Sequence, residues 1–216
     1  MRTIRLLYVC TGNTCRSPMA AALTEKLGKE LALPYALEVR SRGLYAAPGD
    51  PLSQYAREAL GERGIEMEHQ AAMLEEEDMK WADLVLTMTM QHKRHLWEEF
   101  PDFQDKTFTL KEYIREHGPQ KAAGADAEAT GASPAAEVEG PEESKAKEQE
   151  ESRESGDGPD DFSWEYLESY FSSLDVRDPF GGELEVYRHT RDELEENIRH
   201  LLQLLAASVS QPEDAL

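Results

Sequence analysis

The chain has 216 residues and a formal net charge of −21, with 44 Asp and Glu against 23 Lys and Arg. That balance speaks against a nucleic-acid groove or an anionic membrane surface, both of which select basic stripes, and no apolar run approaches the roughly 18–20 residues of a membrane helix. The 2 cysteines, Cys10 and Cys15, give neither a disulfide framework nor a four-cysteine zinc site, so the sequence predicts an unexported protein of the reducing cytoplasm.

Ile4 to Val9 is a continuous apolar, β-rich run that stops at Cys10 and a Thr11-Gly12-Asn13 turn. It is too short for a signal peptide and no small-residue cleavage site follows. It reads as a central strand of a parallel sheet, buried on both faces. Ser17-Pro18 then starts a helix, with proline in the first turn where its missing N–H costs nothing, and Met19 to Leu27 carries apolar residues at helical spacing. A second strand runs from Leu37 to Ser41 and ends at Gly43; Pro51 opens a helix through Leu60.

Ala82 to Met88 reads as a third strand with a helix after it up to Phe100, and Thr107 to Leu110 as a short fourth strand. Glu75-Glu76-Glu77-Asp78 reads as a solvated helix start, and Trp81, Trp97 and Met88 as core. His92 and His95 are three apart on the helix after the third strand, but no third ligand accompanies them, so they read as exposed helix residues and not a metal site. Glu183 to Leu205 closes the chain as an amphipathic helix. Alternating strand and helix predicts an α/β fold, a doubly wound four-stranded parallel sheet with flanking helices and its site at the carboxyl ends of the strands.

From about 119 to 161 the composition shifts to Ala, Glu, Gly, Pro, Ser and Asp with almost no large apolar residues. Burial there cannot offset the entropy of ordering, which predicts a disordered acidic insertion able to meet a basic partner. Phe162 to Phe171 is aromatic again and reads as a short docking helix.

Cys10-Thr11-Gly12-Asn13-Thr14-Cys15-Arg16-Ser17 holds a Cys-x5-Arg spacing between a buried strand and a helix start. Gly12 and Asn13 tolerate left-handed backbone. Such a loop curls its amide N–H groups inward into an anion nest, reinforced by the helix N-terminus. The nest fits a phosphate and also stabilises the Cys10 thiolate as a nucleophile. Ser17 is placed to donate to that thiolate, and the planar fork of Arg16 can grip two phosphoryl oxygens. Asp178, in the turn-rich run Asp178-Pro179-Phe180-Gly181-Gly182, supplies the carboxyl that would protonate a leaving group and then activate water. There is no Walker lysine after Gly12, which excludes a nucleotide loop of that kind.

On these residues, together with Ala82 to Thr89, Phe108 to Tyr113 and Thr190 to Glu195, the chain resembles low-molecular-weight phosphotyrosine phosphatases, and within them the bacterial protein-arginine phosphatase branch. The resemblance implies the low-molecular-weight phosphatase fold: residues 1–118 as the first part of the domain, 119–161 as the insertion, and 162–216 as the part carrying the general-acid loop and closing helix. It implies Cys10 as nucleophile, Arg16 as phosphate ligand, Asp178 as general acid, Ser17 as thiolate stabiliser and Asn13 as the residue that shapes the loop, with no cofactor and no metal.

Thr11, directly after the nucleophile, fits the arginine-directed branch, where its methyl narrows the pocket and its hydroxyl positions water. Thr14 and Cys15 complete the phosphate loop with Gly12, and Tyr45 and Phe180 are expected as pocket walls. Cys15 lies close enough to Cys10 in that fold for a protective disulfide. Phosphorylated proteins are the implied substrates. The alternatives are a phosphotyrosine phosphatase and an inactive phosphate-binding module. Arsenate reductases share the loop but relay oxidation through further cysteines, which this chain lacks.

Overall fold

The computed structural model describes residues 2–118 and 169–210. Strand β1, Thr3–Cys10, sends Leu6 and Tyr8 to one face of the sheet and Leu7 and Val9 to the other, and all four are fully buried. A strand without a polar face must lie inside a sheet covered on both sides. Accordingly β1 pairs with β2 (Ala36–Gly43) on one edge and β3 (Leu84–Thr87) on the other, and β4 (Thr107–Thr109) adds beyond β3. The order is β2-β1-β3-β4, all parallel.

Among the described residues the sheet is flanked by α1 Arg16–Glu30, α2 Gln54–Gly61, α3 Glu76–Trp81, α4 Met90–Glu99, α5 Leu110–His117 and α6 Leu184–Ser210. On one face Leu6 and Tyr8 join Met19, Leu23 and Leu27 of α1 with Leu194, Ile198 and Leu201 of α6. On the other, Leu7, Val9 and Val85 meet Met79 of α3 and Leu96 of α4. Each such leucine stabilises the fold by roughly 1.5–3 kcal/mol relative to exposure. These layers fix the carboxyl end of β1, from which the Cys10 loop departs.

Several boundaries differ from expectation. Helix α2 starts at Gln54, not Pro51, because the Ser53 hydroxyl caps it by accepting from the Ala56 N–H while Pro51 bridges to Gln70. Strand β3 starts at Leu84, since Ala82 still donates to the Asp78 carbonyl and closes α3. Asp78 is buried, contrary to its reading as part of a solvated helix start: Arg42 Nε donates to it at 2.8 Å and Arg40 at 3.3 Å. Those arginines project from β2, and their charge-assisted hydrogen bonds offset part of the cost of desolvating the Asp78 carboxylate. Met88 is fully buried as expected, whereas Trp81 and Trp97 are only partly so. The acidic stretch 119–161 and the aromatic residues up to 168 lie outside the described residues; 169–172 is helical.

Candidate active site

The loop from Cys10 to Arg16 is anchored by its acceptors. The Cys10 carbonyl accepts from the Leu44 N–H at 3.0 Å, Thr11 from Tyr45 at 2.9 Å and Thr14 from Ser53 at 2.9 Å, and the Asn13 carbonyl meets His69 Nε2 at 2.6 Å. Among the described residues, no acceptor takes the backbone N–H groups of Thr11 through Cys15. A loop whose carbonyls are tied to the scaffold and whose donors are left open is built to receive an anion. The start of α1 adds to this: Cys15 makes no side-chain cap and the first turn holds no acidic residue, so the positive end of the helix is not neutralised locally.

Asn13 holds the loop's shape. It is the one loop residue in the left-handed region, with φ 54°, so Gly12 is not the residue that takes that conformation. The asparagine is fully buried and uses its whole amide: Nδ2 donates to Ser17 and Ser41 hydroxyls at 3.0 Å each, and Oδ1 accepts from the Ala72 N–H at 3.0 Å. Gly43, paired with Cys10 across the sheet, lets the loop approach. A Cβ there would stand 2.7 Å from the Thr11 carbonyl oxygen.

Cys10 is buried, with Sγ 3.0 Å from Ser17 Oγ. The Ser17 hydroxyl has one proton and two acceptors in reach, Cys10 Sγ and the Arg42 carbonyl at 3.3 Å, while Asn13 donates into its oxygen. A thiol can give its own proton to Ser17, which then bonds Arg42; a thiolate takes the Ser17 proton instead. Cys15, also a free buried thiol, faces elsewhere, 3.3 Å from Ser53 Oγ and 3.5 Å from the Tyr187 hydroxyl. Burial, and secondarily the contact with Cys15, push that tyrosine up to about 12.

Arg16 is buried, with Nη2 2.5 Å from Asp178 Oδ2 and Nη1 3.5 Å from the Val176 carbonyl. Asp178 rides on a segment fixed by three contacts. Val176 N–H donates to the Met88 carbonyl at 2.8 Å, Asp175 Oδ1 accepts from the Met90 N–H at 2.7 Å, and Lys111 Nζ donates to the Asp175 carbonyl at 2.8 Å. Burial raises the Asp175 carboxyl, opposed by the Met90 N–H. The Phe180 N–H donates to Asp178 Oδ1 at 3.1 Å and orients the carboxylate.

Cys10, Thr11, Gly12, Thr14, Cys15, Arg16, Asp178 and Phe180 line one cavity of about 250 Å³. Phe180 is 79% exposed at its mouth. Tyr45 does not line it. This tyrosine is 65% exposed and packs tilted on His95 at 5.5 Å, walling an adjoining hollow of about 310 Å³ that shares Thr11 with the first.

The sequence reading placed His92 on an exposed helix face, and the structure corrects this. His92 is buried, with Nε2 2.9 Å from Thr11 Oγ1 and Nδ1 2.9 Å from Thr89 Oγ1. It sits in the first turn of α4, at the carboxyl end of β3, so the helix face it occupies is turned toward the Cys10 loop. A Thr-x-x-His spacing directly after a buried strand was the available signal. His69, Ser41 and Ala72, which hold Asn13, carried none.

Residues 5–133 match the family described as low molecular weight phosphotyrosine protein phosphatase. The chain is 37% identical over 201 residues to a protein-arginine-phosphatase of Geobacillus stearothermophilus, covering 93% of this chain and 95% of that one. The solved structure of the YwlE arginine phosphatase from the same organism superposes with a TM-score of 0.66 at 35% identity, covering 99% of both chains. A YwlE arginine phosphatase cysteine-to-serine mutant with a phosphorylated active-site serine superposes with a TM-score of 0.64 at 34% identity, covering 94% of this chain and 95% of that one.

Proposed function

Because the chain belongs to the low molecular weight phosphotyrosine protein phosphatase family, we propose that it hydrolyses phosphoarginine in proteins through a phosphocysteine at Cys10. The observation that carries the chemistry is the loop with its carbonyls tied to the scaffold and its N–H groups open, closed at one end by Cys10 and at the other by Arg16. The arginine-directed reading is supported by the likeness to protein-arginine phosphatases over 93% of the chain.

In the first step the Cys10 thiolate attacks phosphorus. The S–P bond forms, the P–N bond breaks, and the departing guanidine nitrogen takes a proton from the Asp178 carboxyl. Arg16 and the loop amides hold the non-bridging oxygens as charge builds on them. In the second step the Asp178 carboxylate removes a proton from water, whose oxygen attacks phosphorus, breaks the S–P bond and releases phosphate. The Cys10 thiolate so regenerated again accepts the hydrogen bond of the Ser17 hydroxyl. No step calls for a metal or cofactor.

Thr11 and Thr14 both line the cavity and present small, branched side chains that narrow it, with Phe180 at the rim. The second reading, a phosphotyrosine phosphatase, is favoured by the description of the family itself. We also place the protein in the reducing cytoplasm, where Cys10 and Cys15 stay free thiols and pair only under oxidation, and assign the acidic stretch 119–161 to a basic partner.

The test is a rapid-quench reaction of the full chain with a phosphoarginine peptide. The mechanism predicts a phosphoryl adduct on Cys10 before phosphate release, and no turnover by Cys10→Ser. Turnover surviving that substitution would remove Cys10 from the chemistry.

A further inference from the structure

The Thr89, His92 and Thr11 side chains form a continuous line from the first turn of α4 to the anion cavity. Counting protons along it gives a direction. Thr89 Oγ1 already accepts from the His92 backbone N–H at 3.2 Å, and among the described residues its hydroxyl proton has no acceptor other than His92 Nδ1. If Nδ1 carried the imidazole proton, Thr89 would accept twice and leave its own O–H without a protein partner. With Nδ1 bare, Thr89 donates to Nδ1 and Nε2–H donates to Thr11 Oγ1, so the one hydroxyl proton left over belongs to Thr11, which is exposed at the cavity, and not to the half-buried Thr89.

The consequence falls on Thr11. Its oxygen is held by the imidazole N–H, and its own proton is left to point away from His92. Thr11 Oγ1 has no other hydrogen-bond partner among the described residues, and the side chain lines the cavity that Cys10 and Arg16 close. We propose that His92 is a positioning residue: as the Nε2–H tautomer it orients the Thr11 hydroxyl so that its proton is directed at an oxygen in the Cys10 cavity, either of the phosphoryl group or of the attacking water. This rests on the phosphatase reading of the Cys10 loop.

Only a neutral imidazole leaves Nδ1 bare to accept from Thr89 while Nε2–H donates to Thr11. Burial, and then the Arg16 charge, push His92 down to about 4, with Asp178 opposing and His95 adding to the depression. Across the neutral range the ring therefore keeps one donor and one acceptor, and the direction of the line is fixed.

The experiment is a cycle in the full chain on a phosphoarginine peptide. His92→Leu removes the donor, His92→Gln retains an N–H at the Nε2 position, and Thr11→Val removes the hydroxyl while keeping its shape. Loss of one oriented hydrogen bond predicts a fall in kcat/KM of about tenfold for His92→Leu, with His92→Gln within about threefold of the unsubstituted protein. In the Thr11→Val background, His92→Leu is expected to add less than about twofold, because the two residues act as one unit. Equal losses in both backgrounds, or glutamine as damaging as leucine, would overturn the proposal by making His92 a packing residue.

Imidazole ¹⁵N shifts of the unsubstituted protein at neutral pH, assigned by loss of the signal in His92→Gln, decide the matter without reference to activity. A protonated Nε2 and bare Nδ1 are expected; the opposite tautomer overturns it. An unsubstituted protein that turned over no phosphopeptide would instead defeat the reading of the Cys10 loop, and the tautomer would still be read independently.

Discussion

Asp178 Oδ2 stands 2.5 Å from Arg16 Nη2, so the carboxylate proposed as general acid holds one arm of the guanidinium proposed to grip the phosphoryl group. Arg16 is buried and Asp178 is half-exposed, its side chain 49% accessible. The buried partner lies at the base of the pair and the exposed one stands on the side open to a leaving group.

Asp178→Asn therefore separates chemistry from binding. It removes the proton donor, and kcat is expected to fall by about 10²–10⁴. It also removes a negative charge that competes for Arg16, so titration of the variant with inorganic phosphate is expected to show tighter binding. Weaker phosphate binding would mean that Asp178 organises Arg16 and does not compete for it.

Gly43→Ala tests the close approach under the loop. Its Cβ would stand 2.7 Å from the Thr11 carbonyl and 2.9 Å from Ala46 Cβ. Backbone cannot yield as a flexible side chain can, so the variant is expected to lose about 1–3 kcal/mol of stability and much of its kcat/KM. Unchanged thermal unfolding together with unchanged kinetics would show that the loop accommodates a methyl group.

The sequence carried the fold because its signals are local. Ile4 to Val9 has no polar face, and strands β1 to β4 and helices α1, α4 and α6 lie where periodicity and turn residues put them, to within a few residues. The Cys10 loop was legible for the same reason, since nucleophile, fork and thiolate donor fall within eight consecutive residues. What escaped was long-range. Asp78 looked solvated until Arg40 and Arg42 arrived from β2, and His92 looked exposed until α4 turned it onto Thr11, 81 positions away. Tyr45 was expected at the cavity and walls the hollow beside it, because a loop's position in the chain does not say which way its side chain faces.

His92 also sets a pH dependence of stability. Its folded value of about 4 lies below the ordinary 6.5, so the unfolded chain binds the proton more readily. The stability that neutral His92 contributes is complete above about 6.5 and is lost as pH falls toward 4. The Tm of the unsubstituted protein is expected to drop more steeply between pH 6.5 and 4 than that of His92→Gln; parallel curves would contradict this.

Glu62 loses its contribution on acidification in the same sense, over a lower window. It joins the end of α2 to α6, accepting from Arg188 at 2.9 and 2.5 Å and from Arg191 at 2.7 Å. Arg188 first, then Arg191, lower it to about 2 from 4.5. Its contribution is present above about 4.5 and disappears as pH falls toward 2. Glu62→Gln is expected to lower Tm at neutral pH, with the gap from the unsubstituted protein closing through that window. A gap that stays constant down to pH 2 would assign the loss to something other than the ion pair.

The central claim is tested most directly by kcat/KM of the reduced protein on phosphoarginine and phosphotyrosine peptides of matched sequence, with Thr11→Ile and Thr14→Ile alongside. The account predicts a strong preference for phosphoarginine that at least one threonine substitution erodes. A preference for phosphotyrosine in the unsubstituted protein would contradict it and assign the cavity to aromatic phosphoesters.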